Sequence, residues 1–144
     1  IVDFTPLDTN SSPSPLPFDP TVTYRLAIAR HTVPTWAIRL DFSSGKSLVV
    51  SADTGLADPI ARLATGATLL VHDSFDLKPS AGGSHIHSSA DQAGELAKQA
   101  GVHTLALVHR QDTSEQTAFS YRALAAKHFG GEILVPQAGD TVTL

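Results

Sequence analysis

Four strand-like segments of the sequence each lead into a histidine or an aspartate. The runs "SLVVSA", "TLLV" and "TLALV" lead into Asp53, the pair His72-Asp73 and His109, and "TYRLAIAR" leads into His31. A single strand-end histidine is more often structural, but the carboxyl ends of neighbouring strands meet at one edge of an α/β sheet, where binding sites collect. Histidine and aspartate without cysteine, of which the chain has none, are typical ligands of hydrolytic Zn²⁺ or Mn²⁺ sites. We therefore expect these side chains to converge on a metal-dependent centre.

The elements that must position these residues alternate along the chain. The segments "TVTYRLAIARH" and "TWAIRLDF" have strand periodicity, and the second turns at "SSGK" into "SLVVS", which predicts an antiparallel stretch. From residue 57 onward, predicted helices alternate with apolar strands. One helix begins at Asp58 and ends at Gly66, and another begins with a capping box of Ser89 and Gln92 and ends at Gly101. A third helix within "SEQTAFSYRALAAKHFGG" and closing strands in "EILVP" and "TVTL" follow. This order predicts an α/β fold with a mixed sheet and flanking helices.

The composition limits the kinds of protein that this chain can be. It has 144 residues, of which 42% are hydrophobic and 17% are charged, as is typical of one globular domain. No apolar run approaches the roughly 18 residues of a membrane span, so we expect no membrane partner and a cytoplasmic protein. The net charge of -4 offers no basic surplus for binding phosphates, which disfavours nucleic acid as a partner.

The amino-terminal segment differs from the rest of the chain in composition and in its lack of hydrophobic periodicity. Residues 1–20 include "TNSSPSPLPFDP", which is rich in proline and serine and has no periodicity. This predicts an extended connection ahead of the sheet and helices of residues 21–144. The chain starts at Ile1 and contains no methionine, so we expect further residues upstream.

Four longer stretches together resemble the carboxyl-terminal half of the metallo-β-lactamase superfamily, in its ribonuclease Z-like branch. They are "HTVPTWAIRLDFSSGKSLVVSADTG", "LLVHDSF", "HIHSSADQAGELAKQAGVHTLALVHR" and "FGGEILVPQAGDTVTL". The resemblance implies half of a four-layer αββα sandwich, with one sheet face left open for the other half. It also implies that His31, Asp53 and His109 bind two divalent metal ions, Zn²⁺ or Mn²⁺, and that Asp53 bridges both. These three side chains should then lie at one end of the sheet.

The same resemblance implies a proton relay. "LLVHDSF" and "HIHSSA" fall where the family has paired "HEAT" and "HST" loops, which makes Asp73 and His87 the catalytic residues that protonate the leaving group. Asp73 is one methylene shorter than the family's glutamate, so its reach to His87 is a point to test. His72, at a buried strand end, is expected to orient a neighbouring group from behind the metal ligands. In the competing interpretation, His87 is a structural histidine beside the helix cap Ser89.

The remaining histidines and the tryptophan have less specific interpretations. His85 is expected in a solvated loop, and His103 and His128 are expected to be structural. Trp36, the only tryptophan, fits either the core or a pocket wall.

Two departures from the family shape the functional hypothesis. The family's main metal-binding motif, HxHxDH, has no match here, which predicts that a missing amino-terminal half or a companion chain completes the site and that this chain alone is inactive. The segment between His31 and Asp53 is too short for the tRNA-gripping insertion of ribonuclease Z, which favours a small-molecule phosphodiester or ester substrate. We therefore expect a metal-dependent hydrolase of phosphodiesterase or esterase type. The alternative is a non-catalytic half-domain that acts as a binding or assembly partner, and association into a homo-oligomer is also open.

Overall fold

The computed structural model describes residues 7–9, 12–79, 86–111 and 114–144, and of residues 115 and 116 it describes the backbone alone. Within these residues, seven strands form one sheet in which strands that follow one another in sequence are neighbours in space. The strands are β1 (Ser14–Leu16), β2 (Asp19–Ile28), β3 (Trp36–Phe42), β4 (Ser47–Val50), β5 (Leu69–Asp73), β6 (Thr104–Val108) and β7 (Glu132–Leu134). The helices are α1 (Asp58–Leu63), α2 (Ala90–Ala100) and α3 (Glu115–Ala125).

The directions of the strands follow from their connections. β1 to β4 pair antiparallel and are joined by turns and a short loop. The turn between β3 and β4 closes through a 2.9 Å hydrogen bond from the Gly45 N–H to the Phe42 carbonyl, and Gly45 has φ of 83°, which glycine adopts without strain. β4 to β7 pair parallel, and α1, α2 and α3 make the three crossovers that parallel pairing requires. The predicted mixed sheet with flanking helices is confirmed.

The three helices cover one face of this sheet. Leu70 of β5 and the pair Leu105 and Leu107 of β6 are fully buried on that face. They belong to one apolar cluster together with Ile60 of α1 and Leu96 of α2. Strands with both faces in apolar surroundings have continuous apolar sequences, as β5 and β6 do. This core fixes the strand ends at which the candidate site is built.

The opposite face of the sheet carries apolar side chains but no helical layer in the described chain. Val22, Tyr24 and Leu26 of β2 are buried there in a second cluster, to which no described residue of α1, α2 or α3 belongs. Leu48 and Val50 of β4 share this face and are only half-buried. An apolar sheet face is stable when another layer covers it. Among the described residues Leu48 and Val50 are the partly exposed part of this face in β4, and its covering by a second half stays a prediction.

Two local features differ from the sequence-based expectations. The extended connection predicted over residues 1–20 contains β1, in which Pro15 lies opposite Thr23 on an edge strand, where proline is tolerated. The closing strand predicted over residues 141–144 was wrong, because the chain turns at residues 137–140 and makes no strand beyond them. No helix in the described part of the chain is long and apolar enough to cross a membrane.

Candidate metal centre

Asp53 lies on a loop that a buried serine ties to the neighbouring strand. β4 ends just before Ser51, whose N–H donates to the Val71 carbonyl at 3.0 Å. The Ser51 hydroxyl accepts a hydrogen bond from the Asp73 N–H at 3.0 Å and donates to the Ala52 carbonyl at 2.7 Å. Ala52 has φ of 55°, a left-handed conformation that costs a residue with a Cβ atom about 1 kcal/mol. The chain thereby leaves the sheet, and the Asp53 side chain is 47% exposed.

The fully buried carboxylate of Asp73 joins three segments of the site. Its Oδ2 accepts hydrogen bonds from the Thr54 N–H and from Nδ1 of His87, both at 2.8 Å. Its Oδ1 accepts a hydrogen bond from the Phe75 N–H at 3.0 Å. Asp73 has no exposed surface, and a buried carboxylate is tolerated when its oxygens are hydrogen-bonded in this way. The expected contact between Asp73 and His87 is therefore present, and the aspartate side chain is long enough to make it.

His87 is held at this carboxylate by the residues that lead into α2. The Ser88 hydroxyl donates to the Thr54 carbonyl at 2.8 Å, and Ser89 begins α2 with the predicted capping box. Because Nδ1 of His87 donates to the carboxylate, Nε2 is the ring nitrogen left for a substrate or a cation. The position of His87 is thus both at the entry of a helix and within the site.

His109 completes a compact group of metal-binding side chains. It follows β6 with φ of 54°, and its Nδ1 lies 3.3 Å from Oδ1 of Asp53 and 3.6 Å from Oδ1 of Asp73. Asp53, His87 and His109 each offer one ligand atom, and these atoms all lie within 4.8 Å of one another. Two imidazoles and a carboxylate at such separations suit Zn²⁺ or another divalent transition metal. The residues present therefore fit the kind of metal expected from the sequence.

His31 reaches the same edge of the sheet but stands beside this group. The residue before it is tied to the loop after β4, since the Arg30 N–H donates to the Thr54 hydroxyl at 3.1 Å. Nδ1 of His31 donates to the Ile86 carbonyl at 3.1 Å, and its ring meets the His87 ring edge-on at a centroid distance of 5.2 Å. The predicted ligands thus lie at one end of the sheet, but the compact group contains His87 in place of His31.

His72 lies behind the site, on the helix-covered face of the sheet. It has no exposed surface, and its Nδ1 donates to the Asp73 carbonyl at 2.7 Å. Burial lowers the pKa of His72 below its ordinary value, although the Asp73 carbonyl and carboxylate oppose this shift. The lowered pKa favours the neutral imidazole, whose Nε2 has no hydrogen-bond partner among the described residues. His72 contacts the backbone of Asp73 rather than the metal-binding group, which fits a supporting position.

The other residues singled out in the sequence lie away from this group. His128 pairs with Asp91 at 3.3 Å, which links α2 to the end of α3, and His103 is exposed just before β6. Trp36 begins β3 and is 41% exposed. His85 lies outside the described residues.

Two residues of the site were missed in the sequence. Thr54 is fully buried, and its N–H, hydroxyl and carbonyl all make hydrogen bonds within the site. Phe75 stacks against His87 and donates its N–H to Asp73. The signals that would have found them are their positions, one residue after Asp53 and two residues after Asp73.

Comparisons with known proteins identify relatives of this chain. No family model matches it. Ribonuclease Z from Halorubrum lacusprofundi is 36% identical over 101 residues, which cover 68% of this chain and 32% of that protein. Ribonuclease Z from Mycobacterium tuberculosis is 36% identical over 125 residues, which cover 79% of this chain and 45% of that protein. The chain thus spans less than half the length of these curated relatives.

Solved structures share the architecture. The metallo-β-lactamase fold protein YhfI from Bacillus subtilis matches with a TM-score of 0.77 and 24% identity, over 90% of this chain and 52% of that chain. The short form of human tRNase Z matches with a TM-score of 0.61 and 20% identity, over 91% of this chain and 46% of that chain. These structures establish the fold, and the curated relatives establish the branch. The chain belongs to the metallo-β-lactamase superfamily, among its ribonuclease Z-like members.

Proposed function

We propose that this chain contributes one half of a metal-dependent hydrolytic centre that cleaves phosphodiester bonds. The observation that carries the proposal is the pair of Asp53 and His109, whose Oδ1 and Nδ1 atoms lie 3.3 Å apart at the edge of the sheet that His31 and His87 also reach. Asp53 and His109, with His31 beside them, would hold two divalent ions, Zn²⁺ or Mn²⁺. Such ions lower the pKa of a bound water to about 7 and offset the negative charge that develops on the phosphoryl oxygens.

His87 is assigned to proton transfer because of its hydrogen bond to Asp73. With Nδ1 held on the buried carboxylate at 2.8 Å, Nε2 is the nitrogen left to give a proton to the leaving oxygen. Water adds to phosphorus, the bond from phosphorus to the leaving oxygen breaks, and that oxygen gains the proton of Nε2. The proton released by the attacking water then restores the imidazolium. Asp73 accepts the Nδ1–H of His87 and so holds the imidazole with Nε2 toward the leaving group.

The centre requires groups from outside this chain. A catalytic zinc ion usually takes three protein ligands of its own, so His31, Asp53 and His109 are too few for two ions. The chain spans less than half the length of the two ribonuclease Z relatives described above, and the sheet face that carries Leu48 and Val50 lacks a described covering layer. We infer that a second half, in the same protein or in a companion chain, supplies the remaining ligands and covers this face.

The relatives alter the substrate expected from the sequence. Net charge and the short segment between His31 and Asp53 disfavoured nucleic acid, but the curated relatives carry the name ribonuclease Z, so that expectation finds no support among them. We therefore propose RNA phosphodiesters as the first substrates to test. Small phosphodiesters and esters are the second class.

The experiment uses the complete protein, expressed with its adjoining coding sequence or its companion chain. Hydrolysis of an RNA oligonucleotide and of bis(p-nitrophenyl) phosphate is measured with a chelator, with Zn²⁺ and with Mn²⁺. Asp53→Asn should lower the metal-dependent rate by at least about 100-fold, since it removes a ligand. Asp91→Asn, which changes a half-buried aspartate paired with His128 away from the site, should leave the rate unchanged.

Two outcomes count against the proposal. A rate that does not respond to metal, or an equal loss in Asp53→Asn and Asp91→Asn, would exclude Asp53 from a catalytic metal site. Stable association with a companion chain without any hydrolysis would favour the alternative, a non-catalytic half-domain. Metal content of His87→Ala separates the two roles open to His87: it stays unchanged if His87 transfers a proton and falls if His87 is a ligand.

A further inference from the structure

The aromatic ring of Phe75 contacts two histidines of the candidate centre. Its centroid lies 4.9 Å from that of His87, with 27° between the ring planes, and 5.4 Å from that of His109. Nearly parallel rings at this separation form an offset stack, which is a favoured aromatic geometry. The Phe75 N–H also donates to Oδ1 of Asp73 at 3.0 Å. One residue therefore contacts both members of the Asp73–His87 pair and a neighbouring candidate ligand.

Two hydrogen bonds, one of them from a side chain of α3, hold the backbone of Phe75 in place. Its carbonyl accepts hydrogen bonds from the Tyr121 hydroxyl at 2.8 Å and from the Gln111 N–H at 3.1 Å. Tyr121 is 2% exposed and belongs to the helix-covered core cluster. A hydrogen bond from so buried a side chain restrains its acceptor, because the donor itself cannot move. Phe75 is thus held between the core and the site.

The hydrogen bond to Asp73 is not sufficient to orient the His87 ring. It sets the distance from Nδ1 to the carboxylate at 2.8 Å, but the ring can still rotate about that bond. The flat face of Phe75 and the contacts with His31 at 5.2 Å and His109 at 5.0 Å restrict the rotation. Proton transfer depends on the direction of the donor as well as on its distance from the acceptor.

We propose that Phe75 is a positioning residue that sets the direction of the His87 ring, and that Tyr121 holds Phe75 in place. The inference rests on the proposed function insofar as His87 gives a proton to the leaving group. Phe75 touches no reacting atom, and the effect proposed for its ring is on the direction of His87. Loss of its flat ring should therefore slow reactions that need a proton on the leaving group and spare those that do not.

Phe75→Leu in the complete protein tests this inference, with Phe119→Leu as the matched control. Phe119 lies on α3 and is 74% exposed, so the control makes the same chemical change at a residue that faces solvent. Turnover is measured on one phosphodiester with an alkyl alcohol as leaving group and on another with p-nitrophenolate. Phe75→Leu should lower kcat about 10-fold to 100-fold for the alkyl substrate and less than about 3-fold for the activated one. Metal content should not change, and Phe119→Leu should affect neither rate.

Equal losses on both substrates, or loss of metal, would overturn the inference, because they would show that Phe75 supports the fold or the ligands instead. Two further variants decide the matter if Phe75→Leu does not fold. Phe75→Tyr keeps the flat ring and should retain the native ratio of the two rates. Tyr121→Phe removes only the hydroxyl that holds Phe75 and should shift that ratio in the direction expected for Phe75→Leu. A reduced ratio in Phe75→Tyr, or a native ratio in Tyr121→Phe, would contradict the proposed chain of contacts.

A spectroscopic readout separates this inference from the proposed function. In the metal-free complete protein, nuclear Overhauser contacts should join the ring protons of Phe75 and His87, and the His87 ring signals should broaden in Tyr121→Phe. Absence of these contacts in the native protein would overturn the inference whether or not the protein hydrolyses any substrate. Their presence in a protein without metal-dependent hydrolysis would overturn the proposed function alone, leaving Phe75 as the residue that orients His87.

Discussion

Replacement of Asp73 by asparagine keeps the shape of the side chain but removes its charge and one of its two acceptor oxygens. The carboxylate accepts two hydrogen bonds at Oδ2, from Thr54 and His87, and one at Oδ1, from Phe75. An asparagine loses fewest hydrogen bonds when its amide oxygen takes the place of Oδ2 and still accepts from Thr54 and His87. Its N–H₂ group then takes the place of Oδ1 and faces the Phe75 N–H, to which it cannot bond. One buried donor is then left unsatisfied, so we expect Asp73→Asn to lower the free energy of unfolding by about 2 kcal/mol.

Urea unfolding, followed by the fluorescence of Trp36, the only tryptophan of the chain, measures this loss. Asp91→Asn is the matched control, because Asp91 also pairs with a histidine, His128, but their side chains are 32% and 38% exposed. Exposed pairs contribute little, and Asp91 also lies in the first turn of α2, where a negative charge adds about 0.3 to 1 kcal/mol, so we expect the control to lower the free energy of unfolding by about 1 kcal/mol or less. If Asp73→Asn lowers the free energy of unfolding no more than Asp91→Asn does, Asp73 is not a buried, hydrogen-bonded carboxylate at the centre of the site, and the reasoning is refuted.

Three further changes test separate parts of the structure. Ala52→Gly relieves a left-handed backbone conformation and should raise the free energy of unfolding by about 1 kcal/mol. If urea unfolding shows no such rise in the free energy of unfolding, Ala52 is not strained. Because burial lowers the pKa of His72 in the folded chain, the unfolded chain binds the proton more readily, so His72 makes stability fall as pH drops below about 6.5. Unfolding measured from neutral to mildly acidic pH should therefore depend less on pH in His72→Gln, and an unchanged dependence would contradict a neutral, buried His72. A Cβ atom on Gly94 would collide with the backbone of Ala125 in α3, so Gly94→Ala should cost about 1 to 3 kcal/mol. Gly130→Ala, where the space is open, should change stability by less than about 0.5 kcal/mol, and equal effects of the two glycine variants would argue against close packing of α2 on α3.

Local sequence patterns were sufficient to predict most of the fold. β4, β5 and β6 are short apolar runs bounded by polar residues, and Ser89 marks the start of α2, so residues close in sequence determine these elements. The convergence of Asp53 and His109 followed from the ends of those strands. The pairing of His87 with Asp73 came from the family resemblance, and the 2.8 Å contact between them is present.

Contacts between distant segments could not be predicted in this way. The stack of Phe75 on His87 joins residues 12 positions apart in sequence, and no local pattern in "HDSF" indicates it. The same holds for Thr54, whose N–H meets a carboxylate 19 residues later in the chain. Residues 141–144 have the composition of a strand, yet beyond the turn at residues 137–140 they pair with no strand of the described sheet. Strand formation depends on a pairing partner as well as on composition.

Anomalous diffraction at the zinc edge, from crystals of the complete protein grown with Zn²⁺, tests the central claim most directly. We expect two peaks, both about 2.0 to 2.2 Å from an oxygen of Asp53, and one of them at that distance from a ring nitrogen of His109. His87 should remain on Asp73, outside the coordination of either ion. Peaks elsewhere in the protein, or ions at this edge of the sheet that Asp53 does not contact, would contradict the assignment of a hydrolytic metal centre to these residues.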